Sequence, residues 1–391
     1  LIRSRAEPQA DGSYRVFGQK IFITYGDHDM TENIVHLVLA RLPDAPPGVK
    51  GISLFLVPKF LVNADGSLGP RNDAWCVSIE HKLGIHASPT CVMAYGDHGG
   101  AVGYLLGQAN RGLEYMFIMM NEARLGVGLQ GIGLGERAYQ QALAYARERK
   151  QGRDALTGEA LVTIDRHPDI RRMLLLMKSR VEACRALAYV TYGLMDRAHA
   201  HPDAEQRRQN LLLAEFMIPI VKGGSTEMGI DVTSLGIQIH GGMGFIEETG
   251  AAQHWRDARI TTIYEGTTGI QANDLIFRKL MRDGGATARR VFADIGATVH
   301  DLAGSERPEL QGIAQRLGSA LQAWIDATEW LGVQGKSDLA GVLTAAVPYL
   351  HLAVTVAGGW QMARAAGVAA AKLAAGEGDA TFYRAKIASA R

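Results

Sequence analysis

The texture of this chain changes once, near residue 110, and that change limits the folds open to it. From Tyr14 to Leu106, apolar and polar residues alternate in short runs such as YRVFGQKIFITYG, NIVHLVLARL and GISLFLVPKF, punctuated by Gly, Pro, Asn and Asp. Such period-two runs are the pattern of half-buried strands, so residues 1–110 predict a small antiparallel β-barrel or sandwich. After Arg111 the apolar residues recur at helical spacing. Residues 113–149, 170–199, 205–236 and 268–281 read as four long helices within a bundle covering 111–285, with Pro219 expected to kink the third. A Gly284-Gly285 break then separates an alanine-rich segment, 286–391, expected to be an added all-α packing or oligomerisation domain.

Bulk numbers exclude several classes. With 391 residues, more than one core is expected, and 47% hydrophobic with 21% charged residues is ordinary for a globular protein. The net charge is +1 with no long basic block, which disfavours nucleic acid as a partner. No apolar stretch is expected to reach the length of a membrane span. Cys76, Cys91 and Cys184 are odd in number and widely spaced, so they read as reduced thiols of a cytoplasmic protein. His199 and His201 do not face one another on a helix end, and no metal site is expected. The opening on Leu1 and the stop inside an alanine-rich pattern read as a piece of a longer protein.

One motif misleads. Gly126-Val127-Gly128-Leu129-Gln130-Gly131 fits the dinucleotide fingerprint G-x-G-x-x-G, but it lies inside a helical run with no strand on either side. Gly128, Gly131 and Gly135 at helical spacing predict a smooth face for close helix packing instead. The methionines Met116, Met119 and Met120 read as core filler, with an acyl tunnel as the competing use.

The chemistry concentrates between Gln238 and Leu275, QIHGGMGFIEETGAAQHWRDARITTIYEGTTGIQANDL. Glycines let a backbone approach a large ligand closely. Glu265 sits between an apolar run, 260–264, read as strand-like, and a Gly-Thr-Thr turn that opens a helix. Such a carboxylate is either a desolvated base or an acid stabilised by the helix N-terminus. Arg124 lies on an otherwise apolar helix face, where a buried charge needs an anion, either a ligand's or an internal one.

These residues resemble the flavin-dependent acyl-CoA dehydrogenases, whose pattern is Q-x-x-G-G-x-G, then R-D-A-[RK], then Y-E-G-T. Gln238-x-x-Gly241-Gly242-x-Gly244, Arg256-Asp257-Ala258-Arg259 and Tyr264-Glu265-Gly266-Thr267 match in order and spacing. The added helical segment is similar to that of relatives of the 3-methylmercaptopropionyl-CoA dehydrogenase type. The resemblance implies FAD as cofactor, an acyl-CoA thioester as substrate, and Glu265 as the base that takes the α-proton. It implies FAD contacts at Phe22, Thr24, Arg149, Gln238, Gly241, Gly242 and Thr267, with Phe22 standing where the family usually has Trp. It implies substrate contacts at Ser88, Asn121, Arg124 and Gly266, electron-transferring flavoprotein as acceptor, and a homodimer or larger assembly. It also implies that the family's N-terminal helical domain is absent, so that this piece alone is expected to bind FAD poorly. An oxidase-like enzyme passing electrons to oxygen and a non-catalytic relative that binds DNA are the other members of the family weighed; the neutral charge stands against the second.

Overall fold

The computed structural model describes residues 2–335 and 337–391 and divides the chain into two compact units, Leu1–Glu122 and Ala123–Arg391. Among the described residues, the first holds nine strands: β1 (Arg5–Pro8), β2 (Tyr14–Thr24), β3 (Val35–Ala40), β4 (Ser53–Pro58), β5 (Phe60–Val62), β6 (Leu68–Arg71), β7 (Ala74–Ile79), β8 (Thr90–Tyr95) and β9 (Ala101–Leu105). They pair antiparallel in the order β3-β4-β9-β2-β8-β7, with β1 added to β2 and β5–β6 forming a separate pair. The inward residues of the alternating runs, among them Val16, Val38, Phe55, Val57, Met93 and Tyr95, make its core. Strict alternation does not hold along β2. Its pairing with β8 shifts between Lys20 and Ile23, and Phe22 takes φ 61°. A bulge of this kind re-aims side chains.

The helices are α1 (Gly112–Glu148), inside which the unit boundary falls, α2 (Pro168–Ala200), α3 (Ala204–His240), α4 (Gly242–Phe245), α5 (Ala251–Arg259), α6 (Thr268–Asn273), α7 (Ala286–Ala303), α8 (Pro308–Gln334), α9 (Leu339–Ala374) and α10 (Ala380–Ala390). Asp203 starts α3 by accepting the Glu205 and Gln206 N–H groups, and the helix runs through Pro219 without ending. From Leu213 to Val232 most of its residues are buried, which makes it the central helix of the unit. The glycine face of α1 packs on it: a Cβ on Gly131 would stand 2.4 Å from the Ser225 carbonyl oxygen. That close approach is what the misleading fingerprint encodes.

The C-terminal helices share this core. Trp324 on α8 is fully buried, stacked near Phe216 of α3 and edge-on to Phe292 of α7. Gly223 and Gly224 of α3 leave room for Leu350 and Val354 of α9. The expected helix 268–281 is instead α6 followed by a π-helical stretch, Asp274–Leu280. Two further expectations are corrected. Met116 and Met120 are only partly buried and Met119 is exposed, so they are not core filler. By length and composition α9 is apolar enough to cross a membrane; it packs against α2, α3, α6, α7, α8 and α10.

Candidate active site

The turn carrying Glu265 is built from below. The run 260–264, read from sequence as strand-like, is a 3-10 turn over Ile260–Thr262 followed by Ile263 and Tyr264, whose N–H groups both return to the Ile260 carbonyl. β-Branched residues suggested a strand, but the described residues of this unit form no strand to pair with it. The chain then takes φ 55° at Glu265 and φ 94° at Gly266. A side-chain-bearing residue held at such a φ costs on the order of 1–3 kcal/mol and persists only where its surroundings over-determine it. Gly266 escapes that cost, and a Cβ there would stand 2.7 Å from Gln271 Nε2.

Three groups over-determine the turn. Lys222 of α3 is fully buried and donates from Nζ to the Thr261 carbonyl at 2.8 Å and the Gly266 carbonyl at 2.6 Å. Gln271, also fully buried, donates from Nε2 to the Glu265 and Gly266 carbonyls at 3.2 and 3.3 Å. Thr267 caps α6 by accepting the Ile270 N–H. Burial pushes the Lys222 ammonium down to about 8; Arg124 adds to this, while Glu265 and Glu227 oppose it. The Glu265 carboxylate itself is partly exposed and has no hydrogen-bond or ion-pair partner among the described residues. Beside it, burial raises the Tyr264 hydroxyl, which donates to Gln130 Oε1.

Arg124 finds its anion inside the protein. It pairs with Asp274 at 3.2 Å, both side chains 5% exposed, so of its two readings the internal ion pair is the one the structure makes. The glycine turn after α3 is different in kind. Gly241 has φ 59° and ψ −136°, and neither it nor Gly242 has any atom within 4 Å of where a Cβ would stand. Gln238 is exposed on the last turn of α3. Counting 238 − 222 = 16 residues along the helix, it lies roughly 24 Å from Lys222 at 1.5 Å per residue. Arg149 is exposed just past α1, its carbonyl accepting the Ile164 N–H at 2.9 Å.

In the first unit, Phe22 is 68% exposed and Thr24 is exposed at the end of β2. Ser88 sits partly buried in the turn before β8, its N–H bonded to the Ile85 carbonyl at 3.0 Å, and Asn121 is partly buried on α1. All three cysteines are free, and no group of His, Cys, Asp or Glu among the described residues could hold a metal. Sequence reasoning passed over Lys222, Gln271 and Asp274. A signal existed for the first: Lys222 is the only charge between Glu215 and Glu227, and the six residues before it, Phe216 to Val221, are all apolar.

The chain belongs to the acyl-CoA dehydrogenase family, which is FAD-dependent. Residues 110–280 match the family described as acyl-CoA dehydrogenase, C-terminal domain, and residues 291–391 the one described as acetyl-CoA dehydrogenase C-terminal like. The chain is 53% identical to the 3-methylmercaptopropionyl-CoA dehydrogenase of Ruegeria pomeroyi, over 100% of this chain and 65% of that protein. It is 38% identical to a broad-specificity linear acyl-CoA dehydrogenase of Mycobacterium tuberculosis, over 99% of this chain and 66% of the relative. It thus spans a little under two thirds of the length of these relatives. A solved acyl-CoA dehydrogenase from Bacillus anthracis, complexed with FAD, shares the fold with a TM-score of 0.74 at 19% identity, over 99% of this chain and 62% of that one.

Proposed function

We propose that this chain carries the catalytic part of an enzyme that desaturates an acyl-CoA thioester at Cα–Cβ, with Glu265 taking the α-proton. The observation that carries this reading is the Glu265 turn: a carboxylate without a partner among the described residues, on a backbone clamped by Lys222 and Gln271. A general base must keep its lone pair for the substrate and must not wander. Closure over an acyl chain would remove water from this partly exposed acid and make it a stronger base.

FAD, when bound, supplies the hydride acceptor for the β-carbon. The residues present fit such a group. Gly241 and Gly242 offer exposed backbone with no side chain in the way, and Gln238 and Arg149 offer exposed polar and cationic side chains. The roughly 24 Å between Gln238 and Lys222 along α3 supports the reading that the glycine turn serves the cofactor of a neighbouring subunit, in a homodimer or larger assembly. Phe22, Thr24 and Thr267 are proposed as further FAD contacts, and Ser88, Asn121 and Gly266 as substrate contacts. Electron-transferring flavoprotein is the proposed acceptor, in the cytoplasm.

The test is Glu265→Gln in the full-length protein. The variant is expected to keep FAD and to lose flavin bleaching by acyl-CoA; bleaching that survives places the base elsewhere. A ladder of acyl-CoA thioesters beginning with 3-methylmercaptopropionyl-CoA, the substrate in the name of the 53%-identical relative, sets the substrate class.

A further inference from the structure

We propose that Lys222 is the positioning residue of this site: from inside α3 it holds the turn that aims Glu265, without touching substrate itself. The inference rests on the reading of Glu265 as the base. Its Nζ joins two carbonyls that bracket the turn, Thr261 before it and Gly266 after it. Closing the six-residue segment Thr261–Gly266 onto one cation fixes the two ends of the stretch that contains Glu265. Gln271 adds a second hold on the Glu265 and Gly266 carbonyls. Together they account for why a glutamate stays at φ 55° next to a glycine at φ 94°.

Other uses of a buried lysine fit less well. Lys222 is 0% exposed, so it is not a solvent proton carrier, and two of its three donors already point at backbone oxygens. It has no carboxylate within ion-pair distance among the described residues, so it is not half of a buried salt bridge. Its unfavourable burial, which drags the ammonium down to about 8, is retained in a helix where Met or Leu would pack without that penalty. The nearest explanation on the chain is the turn it holds. The link also runs onward, because the Thr268 hydroxyl on the first turn of α6 donates to Glu227, five residues beyond Lys222 on α3.

The experiment is single-turnover flavin bleaching by acyl-CoA in the full-length, FAD-loaded protein carrying Lys222→Met, with Gln271→Leu as a second variant and Glu265→Gln in parallel. A displaced base is expected to lower the bleaching rate on the order of 100-fold, with acyl-CoA affinity changed less than threefold. Lys222→Arg, which can still donate to both carbonyls, is expected to recover part of the rate. A purely structural lysine would lower thermal stability and leave the bleaching rate of the folded fraction unchanged, and that result overturns the proposal. Should Lys222→Met fail to fold, Gln271→Leu and Lys222→Arg decide by the same rate criterion. Bleaching lost in Glu265→Gln but unchanged in Lys222→Met removes the positioning role alone. Bleaching retained in Glu265→Gln removes the base reading itself.

Discussion

Two turns meet α3, and they are built in opposite ways. The Glu265 turn is clamped from within by Lys222 and Gln271 and ends in the Thr267 cap. The turn at Gly241 has positive φ too, but open space surrounds Gly241 and Gly242, and Met243, Phe245 and Ile246 beyond them are exposed. The difference teaches what each can do. A turn held by buried donors can fix one atom to a fraction of an ångström, which proton abstraction needs. An open glycine turn can receive something large and cannot by itself aim a reactive group.

The strongest way to break this comparison is Gly266→Ala. The new methyl group would stand 2.7 Å from Gln271 Nε2 and would force a residue with a Cβ to φ 94°. We expect flavin bleaching by acyl-CoA to fall by about 100-fold or more, because the clamp and the turn cannot both survive. A rate within threefold of the parent would show that the turn tolerates looseness. Next in size is a lesion on α1, where its glycine face packs on the central helix away from either turn. Gly131→Ala places a methyl group 2.4 Å from the Ser225 carbonyl oxygen and must push α1 and α3 apart. A loss of about 1–3 kcal/mol of stability is expected, read as a lowered denaturation midpoint, with the bleaching rate per bound flavin preserved. Loss of rate in step with stability would mean that α3 transmits any disturbance to the base.

Gly241→Ala tests the open turn. Its methyl group meets nothing, so only the backbone conformation suffers, at about 1 kcal/mol. FAD retention on dilution should weaken while the bleaching rate of the loaded enzyme holds. The reverse pattern would exchange the roles of the two turns.

What the sequence makes legible follows from what each signal depends on. The change of period near residue 110 is local, and the strands and helices stand on either side of it as expected. The glycine turn and the Tyr264-Glu265-Gly266-Thr267 run are contiguous, and they could be found by pattern. The clamp is not contiguous. Lys222 lies 39 and 44 residues from the two carbonyls it holds, and a lone lysine in an uncharged run announces a burial problem without naming its solution. Arg124 posed the same problem, solved by Asp274, 150 residues away. The apolar 260–264 run was misread because Ile and Thr favour strands locally, whereas here the unit offers only helices to pack on. The bulge at Phe22 is a pairing irregularity between β2 and β8, invisible in either strand alone.

The smallest effect separates a held loop from a site and comes from Asp154, in the segment that follows Arg149. Its carboxylate accepts the Leu156 N–H at 2.8 Å and the Thr157 N–H at 3.2 Å, and it pairs with Arg166 at 2.8 Å. These bonds hold its carboxyl at about 2, below the ordinary 3.8. Because the folded value is the lower one, the stabilisation is present above about pH 3.8 and disappears as pH falls through about 2. Asp154→Asn should therefore be slightly less stable than the parent at neutral pH, and the two melting curves should converge on acidification across that window. Convergence at a higher pH would mean that other carboxylates dominate acid unfolding. A gap that persists to pH 2 would mean that the asparagine costs packing rather than charge, and that the segment is held by its backbone bridges (Lys150 with Thr163, Arg153 with Ala160) more than by this acid.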